Sequence, residues 1–280
     1  MVIEGPPPRP DLGDDTLGWR SADAVVTVHG TGIKGGPPVG WSFWEALGLF
    51  FIVYLLIGQM VLGAITLALM NYDFSRAGDG GASAPLLAAT LVGNIATVAL
   101  VSWWLARRYP NWLASLGIGS PAIRSRDVLL AIVMAPAIYL VLGLVVAPIL
   151  SALIESLSNL PTTTPEQIDA QSLSTAGKIL AVVATVFVAP ITEEFMFRGL
   201  LFRSLRDRHG FWLGAAVSAV MFGFVHWSGP WQDAVLLVGL MTGTGFALAA
   251  IYQWRGTIVA PMVTHIVFNI IGLTLILTTS

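Results

Sequence analysis

Seven long apolar stretches alternate along the chain with short polar or glycine- and proline-rich segments. Each stretch approaches the ~20 residues that an α-helix needs to cross the hydrocarbon core of a bilayer. None of them alternates like a barrel strand, and lipid offers backbone groups no hydrogen bonds, so all seven are predicted to be helices. The stretches are residues 43–69, 85–106, 128–152, 177–197, 211–227, 234–252 and 257–277.

The composition agrees with a membrane protein. Hydrophobic residues make up 55% of the chain and charged residues 11%, and the mean hydropathy is +0.78. A soluble domain is about 45–50% apolar and about 25% charged, so a soluble enzyme is excluded. We predict an all-α polytopic membrane protein, a bundle of about seven transmembrane helices, with the lipid bilayer as its surroundings.

Charge and cysteine content narrow the functional classes. The net charge of −2 gives no indication of nucleic-acid binding. The chain has no cysteine, which excludes disulfides, thiolate metal sites and a cysteine nucleophile.

The chain is predicted to have one folded domain. Residues 1–40 are rich in proline, glycine and aspartate, lack the pattern of a signal peptide, and are expected to form a disordered cytoplasmic tail. Residues 41–280 are expected to form the transmembrane helical domain, with the chemically interesting motifs within 176–277.

Polar and ionisable side chains interrupt three of the late spans. Such a group costs about 2.5–3.5 kcal/mol at the centre of a membrane helix, so its presence there indicates a function. The three motifs are Glu193-Glu194-Phe195-Met196-Phe197-Arg198 in the fourth span, Phe222 to His226 in the fifth, and His265 to Asn269 in the seventh.

Helical spacing assigns different roles to the two glutamates. Glu194 and Arg198 are four residues apart and share a helix face, so they are expected to pair as structural support. Glu193 points about 100° away from Glu194 and is left as the free carboxylate.

Helix geometry also places the unpaired polar residues of the three motifs at a common depth in the membrane. Glu193 and His226 are each 16 residues from the predicted turn at His209-Gly210, so they are level in an antiparallel helical hairpin. His265 lies about 13 Å along the last span, and Asn269 shares its helix face. Two histidines, an asparagine and an unpaired glutamate at one level indicate a functional site.

In this order the three motifs resemble a known family. The pattern E-E-x-x-x-R, then F-x-x-x-H, then H-x-x-x-N, each in its own late span, is similar to the type II CAAX prenyl endopeptidases and the related bacterial Abi or CPBP proteins. The resemblance covers about residues 176–277. It implies an intramembrane endopeptidase acting on a peptide or membrane protein, with prenylated proteins among the candidate substrates.

The resemblance also implies a role for each residue. Glu193 and His226 would activate the attacking water, and His265 and Asn269 would stabilise the oxyanion. This agrees with physical chemistry, since a carboxylate in a low-dielectric pocket suits a general base, and amide and imidazole N–H groups suit an oxyanion. Three further motif residues would support the site: Glu194, Arg198 and Phe222.

A metal-dependent alternative stays open on the residues alone. Glu193, His226 and His265 make up the His₂Glu donor set found at catalytic zinc sites. The H-E-x-x-H motif is absent, however, and the resemblance favours water activated by glutamate without a metal ligand. We therefore expect no cofactor, with zinc as the alternative.

Two other functions compete with a peptidase. A non-catalytic relative, acting as a membrane scaffold or in bacteriocin immunity, would be favoured by the loss of Glu193 or His226, and both are present. A transporter with a buried proton relay would show inverted repeats and polar residues on several helices. The first three spans offer only Gln59 and Asn94, so a transporter is the least favoured function.

Basic residues are distributed unevenly between the two sides of the membrane. With the N-terminus in the cytoplasm, seven spans place 12 of the 14 lysines and arginines inside and leave Arg76 and Lys178 outside. Cytoplasmic segments carry an excess of such residues, so the N-terminus is predicted inside and the C-terminus outside. The inside residues are Arg9, Arg20, Lys34, Arg107, Arg108, Arg124, Arg126, Arg198, Arg203, Arg206, Arg208 and Arg255.

This topology can be measured with reporter fusions. Fusions after Ser115 and after Leu205 should both report a cytoplasmic location, because the basic residues flank both positions. A fusion after Arg76 should report the opposite side and serves as the control. An external signal at 115 or 205 would overturn the topology.

Overall fold

The computed structural model describes residues 37–73, 83–118, 125–164, 168 and 173–279, and this part of the chain is helical without strands. The first 36 residues of the predicted tail lie outside it. The described part contains eight helices: α1 (Phe43–Leu69), α2 (Ala84–Arg108), α3 (Trp112–Ser115), α4 (125–158), α5 (Thr175–His209), α6 (Phe211–Phe224), α7 (Trp231–Arg255) and α8 (Val259–Thr279).

Six of the described helices are long and apolar enough to cross a membrane: α1, α2, α4, α5, α7 and α8. The protein is therefore a polytopic, all-helical membrane bundle, as predicted. The seventh predicted span is the short helix α6, whose 14 residues extend about 21 Å, less than the ~30 Å of a hydrocarbon core. It ends at Phe224, before a turn through Val225 and His226 that leads into Gly229-Pro230.

Helix α5 continues well past the predicted end of the fourth span. It runs unbroken for 35 residues to His209, so the arginines after residue 197 are on a helix and not in a loop. Arg203 and Asp207 are four residues apart and pair at 3.1 Å, which stabilises this last part of the helix.

A buried ion cluster joins several segments at one end of the bundle. The guanidinium of Arg203 donates to the carbonyls of Ser115 at 2.6 Å and Pro37 at 2.9 Å, and it pairs with Asp207. The backbone N–H of Val39 donates to the same carboxylate at 3.0 Å. The end of α5, the segment after α2 and residues 37–39 therefore lie at one end of the molecule.

Helices α1 and α2 approach each other closely at two glycines. A Cβ atom on Gly93 would lie 2.5 Å from the carbonyl oxygen of Gly58, so a larger residue cannot be accommodated there without movement. Beside this contact, the Gln59 side chain donates to Asn94 Oδ1 at 3.0 Å. The close packing holds the face of α1 that carries Tyr54 against the rest of the bundle.

Substitution of these glycines tests the packing. Gly93→Ala should lower stability by about 1–3 kcal/mol, because the added methyl group overpacks the contact. Gly63→Ala is the matched control in α1, where an added Cβ meets nothing within 4 Å. It should raise stability by about 0.5–1 kcal/mol through helix propensity. Thermal unfolding in detergent measures both, and shifts of the same sign would contradict this packing.

Candidate active site

An ion pair between Glu194 and Arg198 lies at the centre of the bundle. Arg198 Nη1 is 3.2 Å from Glu194 Oε1, and neither side chain is exposed. Arg198 Nη2 donates to the Gly245 carbonyl of α7 at 2.9 Å, and the guanidinium lies 4.5 Å from the centre of the Phe222 ring of α6. The pair expected from the spacing is thus present, and it also links α5 to two other helices.

The imidazole of His265, on α8, lies between the two glutamates of α5. Its Nδ1 is 3.0 Å from Glu194 Oε1, and its Nε2 is 3.7 Å from Glu193 Oε2. When Glu194 is ionised by its pairing with Arg198, the carboxylate can only accept, so Nδ1 carries the hydrogen. The sequence did not predict this second contact of Glu194.

His226 follows the end of α6 and folds back on it. Its Nδ1 is 2.8 Å from the Phe222 carbonyl, while its own backbone N–H donates to Gly223. The last carbonyls of a helix lack partners within the helix, and the imidazole satisfies one of them. Nδ1 therefore donates inward, and Nε2 is left as the nitrogen available to a ligand.

The Phe222 ring packs against the rings of both histidines. Its centre lies 4.7 Å from the centre of the His226 ring and 5.8 Å from that of the His265 ring. Among the described residues, no hydrogen bond or ion pair joins Glu193 directly to His226. The structure thus places His265 beside Glu193 and packs both histidine rings against Phe222, while His226 makes no direct contact with Glu193 in the described structure.

Asn269, the fourth predicted catalytic residue, points elsewhere. Its Nδ2 donates to the backbone carbonyl of Thr185 at 2.7 Å, two turns of α5 before Glu193. The structure does not bring this nitrogen to the Glu193 carboxylate. An amide has two N–H donors, so this contact leaves one uncommitted.

Tyr54 is a polar group near the site that the sequence analysis did not single out. Its ring packs edge-on against Phe197 at 6.3 Å, and Phe197 is one turn after Glu193 on α5. The tyrosine is buried and within electrostatic range of Glu193. A phenol in the middle of a mostly apolar first span is the signal that could have identified it.

The side chains do not fit a three-ligand zinc site. In the described part of the chain, no group of three or more His, Cys, Asp or Glu residues is arranged to hold a metal ion. The Nδ1 atoms of both histidines are engaged, with the Phe222 carbonyl and with Glu194, so the Nε2 atoms are the ring nitrogens open to a ligand.

Fold and site define a class of protein: a polytopic membrane protein with a largely buried cluster of carboxylates and histidines between its helices. Comparison with known proteins agrees. Residues 175–271 match the family described as "Type II CAAX prenyl endopeptidase Rce1-like". This match confirms the resemblance seen in the motifs, and the matched residues, which are similar to that family, include every member of the cluster.

A curated protein with a related name is similar to part of this chain. The Bacillus subtilis (strain 168) protein named "Putative membrane peptidase YdiL" is 32% identical over 90 residues. The aligned part is 32% of this chain and 34% of the relative, so the chain spans about a third of that protein's length. No solved structure matches this chain.

The buried ion pair can be tested against an exposed one. Arg198→Ala should destabilise the protein by roughly 3–5 kcal/mol, because it leaves Glu194 as an unpaired buried charge. Arg108→Ala is the matched control, since Arg108 pairs with Glu45 at 3.7 Å with a side chain that is 59% exposed. That change should cost less than about 1 kcal/mol. Similar losses in thermal unfolding would contradict the structural role of the buried pair.

Proposed function

We propose that the chain is an intramembrane endopeptidase of the CAAX protease type, which hydrolyses a peptide bond of a membrane-associated protein or peptide. The observation that carries this proposal is the position of His265 between Glu193 and Glu194, with His226 on the other side of Phe222, inside the Rce1-like region. The name of the Bacillus subtilis relative supports the same class of activity.

The attack on the peptide bond would use Glu193 and His226. A water held between the Glu193 carboxylate and the His226 Nε2 gives up a proton to Glu193 as its oxygen bonds to the carbonyl carbon. The carbonyl electron pair moves to the oxygen and forms a tetrahedral oxyanion. Glu193 then passes the proton to the amide nitrogen as the C–N bond breaks, and the products are a carboxylic acid and an amine.

His265 would stabilise the oxyanion. Since its Nδ1–H donates to Glu194, the ring can donate to an oxyanion from Nε2 only when both nitrogens carry hydrogens. In that form the ring balances the second carboxylate, because Arg198 already balances the first. A cluster without net charge suits a medium in which charge is expensive. The resemblance implies a contribution from Asn269 as well, whose Nδ2 donates to the Thr185 carbonyl in this structure.

Loss of the two water-activating groups is the direct test. Glu193→Gln and His226→Ala should abolish cleavage in a protein that still unfolds at nearly the wild-type temperature, because both groups would act on the water itself. Glu155→Gln is the control, since Glu155 is an exposed carboxylate that hydrogen-bonds only Thr162 in the described structure.

The substrate need not be known for this experiment. Membrane proteins of a deletion strain, complemented with wild type or with each variant, are compared by mass spectrometry of their new chain ends. Fragments that depend on Glu193 would support the peptidase and show whether the substrate is prenylated. Identical fragment patterns for wild type and Glu193→Gln would favour the non-catalytic scaffold instead. Stoichiometric zinc in active protein, with cleavage lost on its removal, would overturn the metal-free mechanism.

A further inference from the structure

The backbone of α5 lacks one hydrogen-bond donor just before the glutamates. Over Val182–Val188 the helix is wider than an α-helix, and the N–H of Ala189 donates to the carbonyl of Ala184, five residues earlier. If this five-residue spacing continued, the N–H of the next residue would donate to the Thr185 carbonyl. That residue is Pro190, which has no N–H. With this five-residue spacing, the backbone of α5 therefore provides no donor for the Thr185 carbonyl.

Asn269 of α8 supplies a donor at this point. Its Nδ2 lies 2.7 Å from the Thr185 carbonyl oxygen. The hydroxyl of Thr185 does not take this role, because it donates to Ala181 instead, at 2.7 Å. A carbonyl without a partner is unfavourable in a bilayer, and proline-broken membrane helices rely on neighbouring helices to satisfy such groups.

We propose that Asn269 is a positioning residue: its side-chain amide replaces the backbone donor that Pro190 removes, and so holds the wide turn of α5 at Pro190 that orients Glu193. This role differs from the direct contact with the oxyanion that the family resemblance implies. The structural part stands by itself, and only the activity measurement rests on the proposed peptidase function.

Two contacts between α8 and α5 make this positioning effective. His265 and Asn269 are four residues apart and share one face of α8. His265 contacts Glu193 and Glu194 after the proline, and Asn269 contacts Thr185 before it. Because one contact lies before Pro190 and the other after it, the pair fixes how the helix turns through this wide segment, and this rotation sets where Glu193 points.

A double-mutant cycle distinguishes positioning from direct catalysis. Pro190→Ala restores an N–H that can serve the α5 backbone, so the helix no longer needs the Asn269 amide. The effect of Asn269→Ala is measured in the wild-type and Pro190→Ala backgrounds, both as a shift in melting temperature and as kcat and KM for the cleaved substrate. Asn269→Leu, which keeps a similar size but has no hydrogen-bond donor, should behave like Asn269→Ala.

The expected result is strong coupling between the two positions. Asn269→Ala should lower kcat about tenfold or more in the wild type, and less than about twofold when residue 190 is alanine, with the melting-temperature shift reduced in parallel. An oxyanion donor would behave differently, because the loss in kcat would be the same in both backgrounds. Equal losses of kcat, or equal shifts in melting temperature, would overturn the proposal.

A second asparagine controls for general effects. Asn94 is also buried in the bundle, and its side-chain Oδ1 accepts from Gln59 of α1, while the contact that Asn94 makes with α5, from the Thr192 hydroxyl at 3.5 Å, is to its backbone carbonyl. Asn94→Ala should therefore be additive with Pro190→Ala. If the wild type shows no cleavage that depends on Glu193, the proposed function fails, while the melting temperatures of the cycle still decide the role of Asn269.

Discussion

The neutralisation of Glu194 by Arg198 is the constraint on which the site depends. Neither side chain reaches solvent, and in a bilayer an unpaired charge at this depth is expensive. Arg198 donates from Nη2 to the Gly245 carbonyl and places its flat face on the Phe222 ring, while Glu194 accepts from His265. Helices α5, α6, α7 and α8 thus all contact this ion pair. The positions of Glu193 and His265 beside it depend on the contacts that stabilise the two charges.

Much of the fold and part of the site could be predicted from local patterns. Apolar length predicts where helices lie in lipid, and the four-residue spacing of Glu194 and Arg198 predicts their pairing. Contacts between helices could not be predicted in this way, because they depend on how the packing of the whole bundle rotates each helix. Spacing along α5 could not show that Glu194 would also accept from His265, or that Asn269 would reach Thr185.

The ends of the helices show the limit of hydropathy most clearly. The arginines after residue 197 end the apolar stretch but not α5, because Asp207 and the carbonyls of Ser115 and Pro37 satisfy Arg203 at the end of the bundle. Conversely, the apolar stretch continues past Phe224 while α6 stops there. Hydropathy reports the surrounding medium, whereas a helix ends where its terminal backbone groups find other partners.

The early end of α6 also explains how two similar histidines can have different roles. Both direct Nδ1 inward and keep Nε2 for a ligand, but the acceptors differ: His226 donates to the neutral Phe222 carbonyl, and His265 donates to the Glu194 carboxylate. A carboxylate balances a positive charge on the ring that it accepts from, and a carbonyl does not. The proposed roles follow this difference: His226, held by a carbonyl, would bind water, and His265, held by a carboxylate, would face the oxyanion. The acceptor at each Nδ1 thus orients its ring before any substrate arrives, which is the preorganisation that electrostatic catalysis requires.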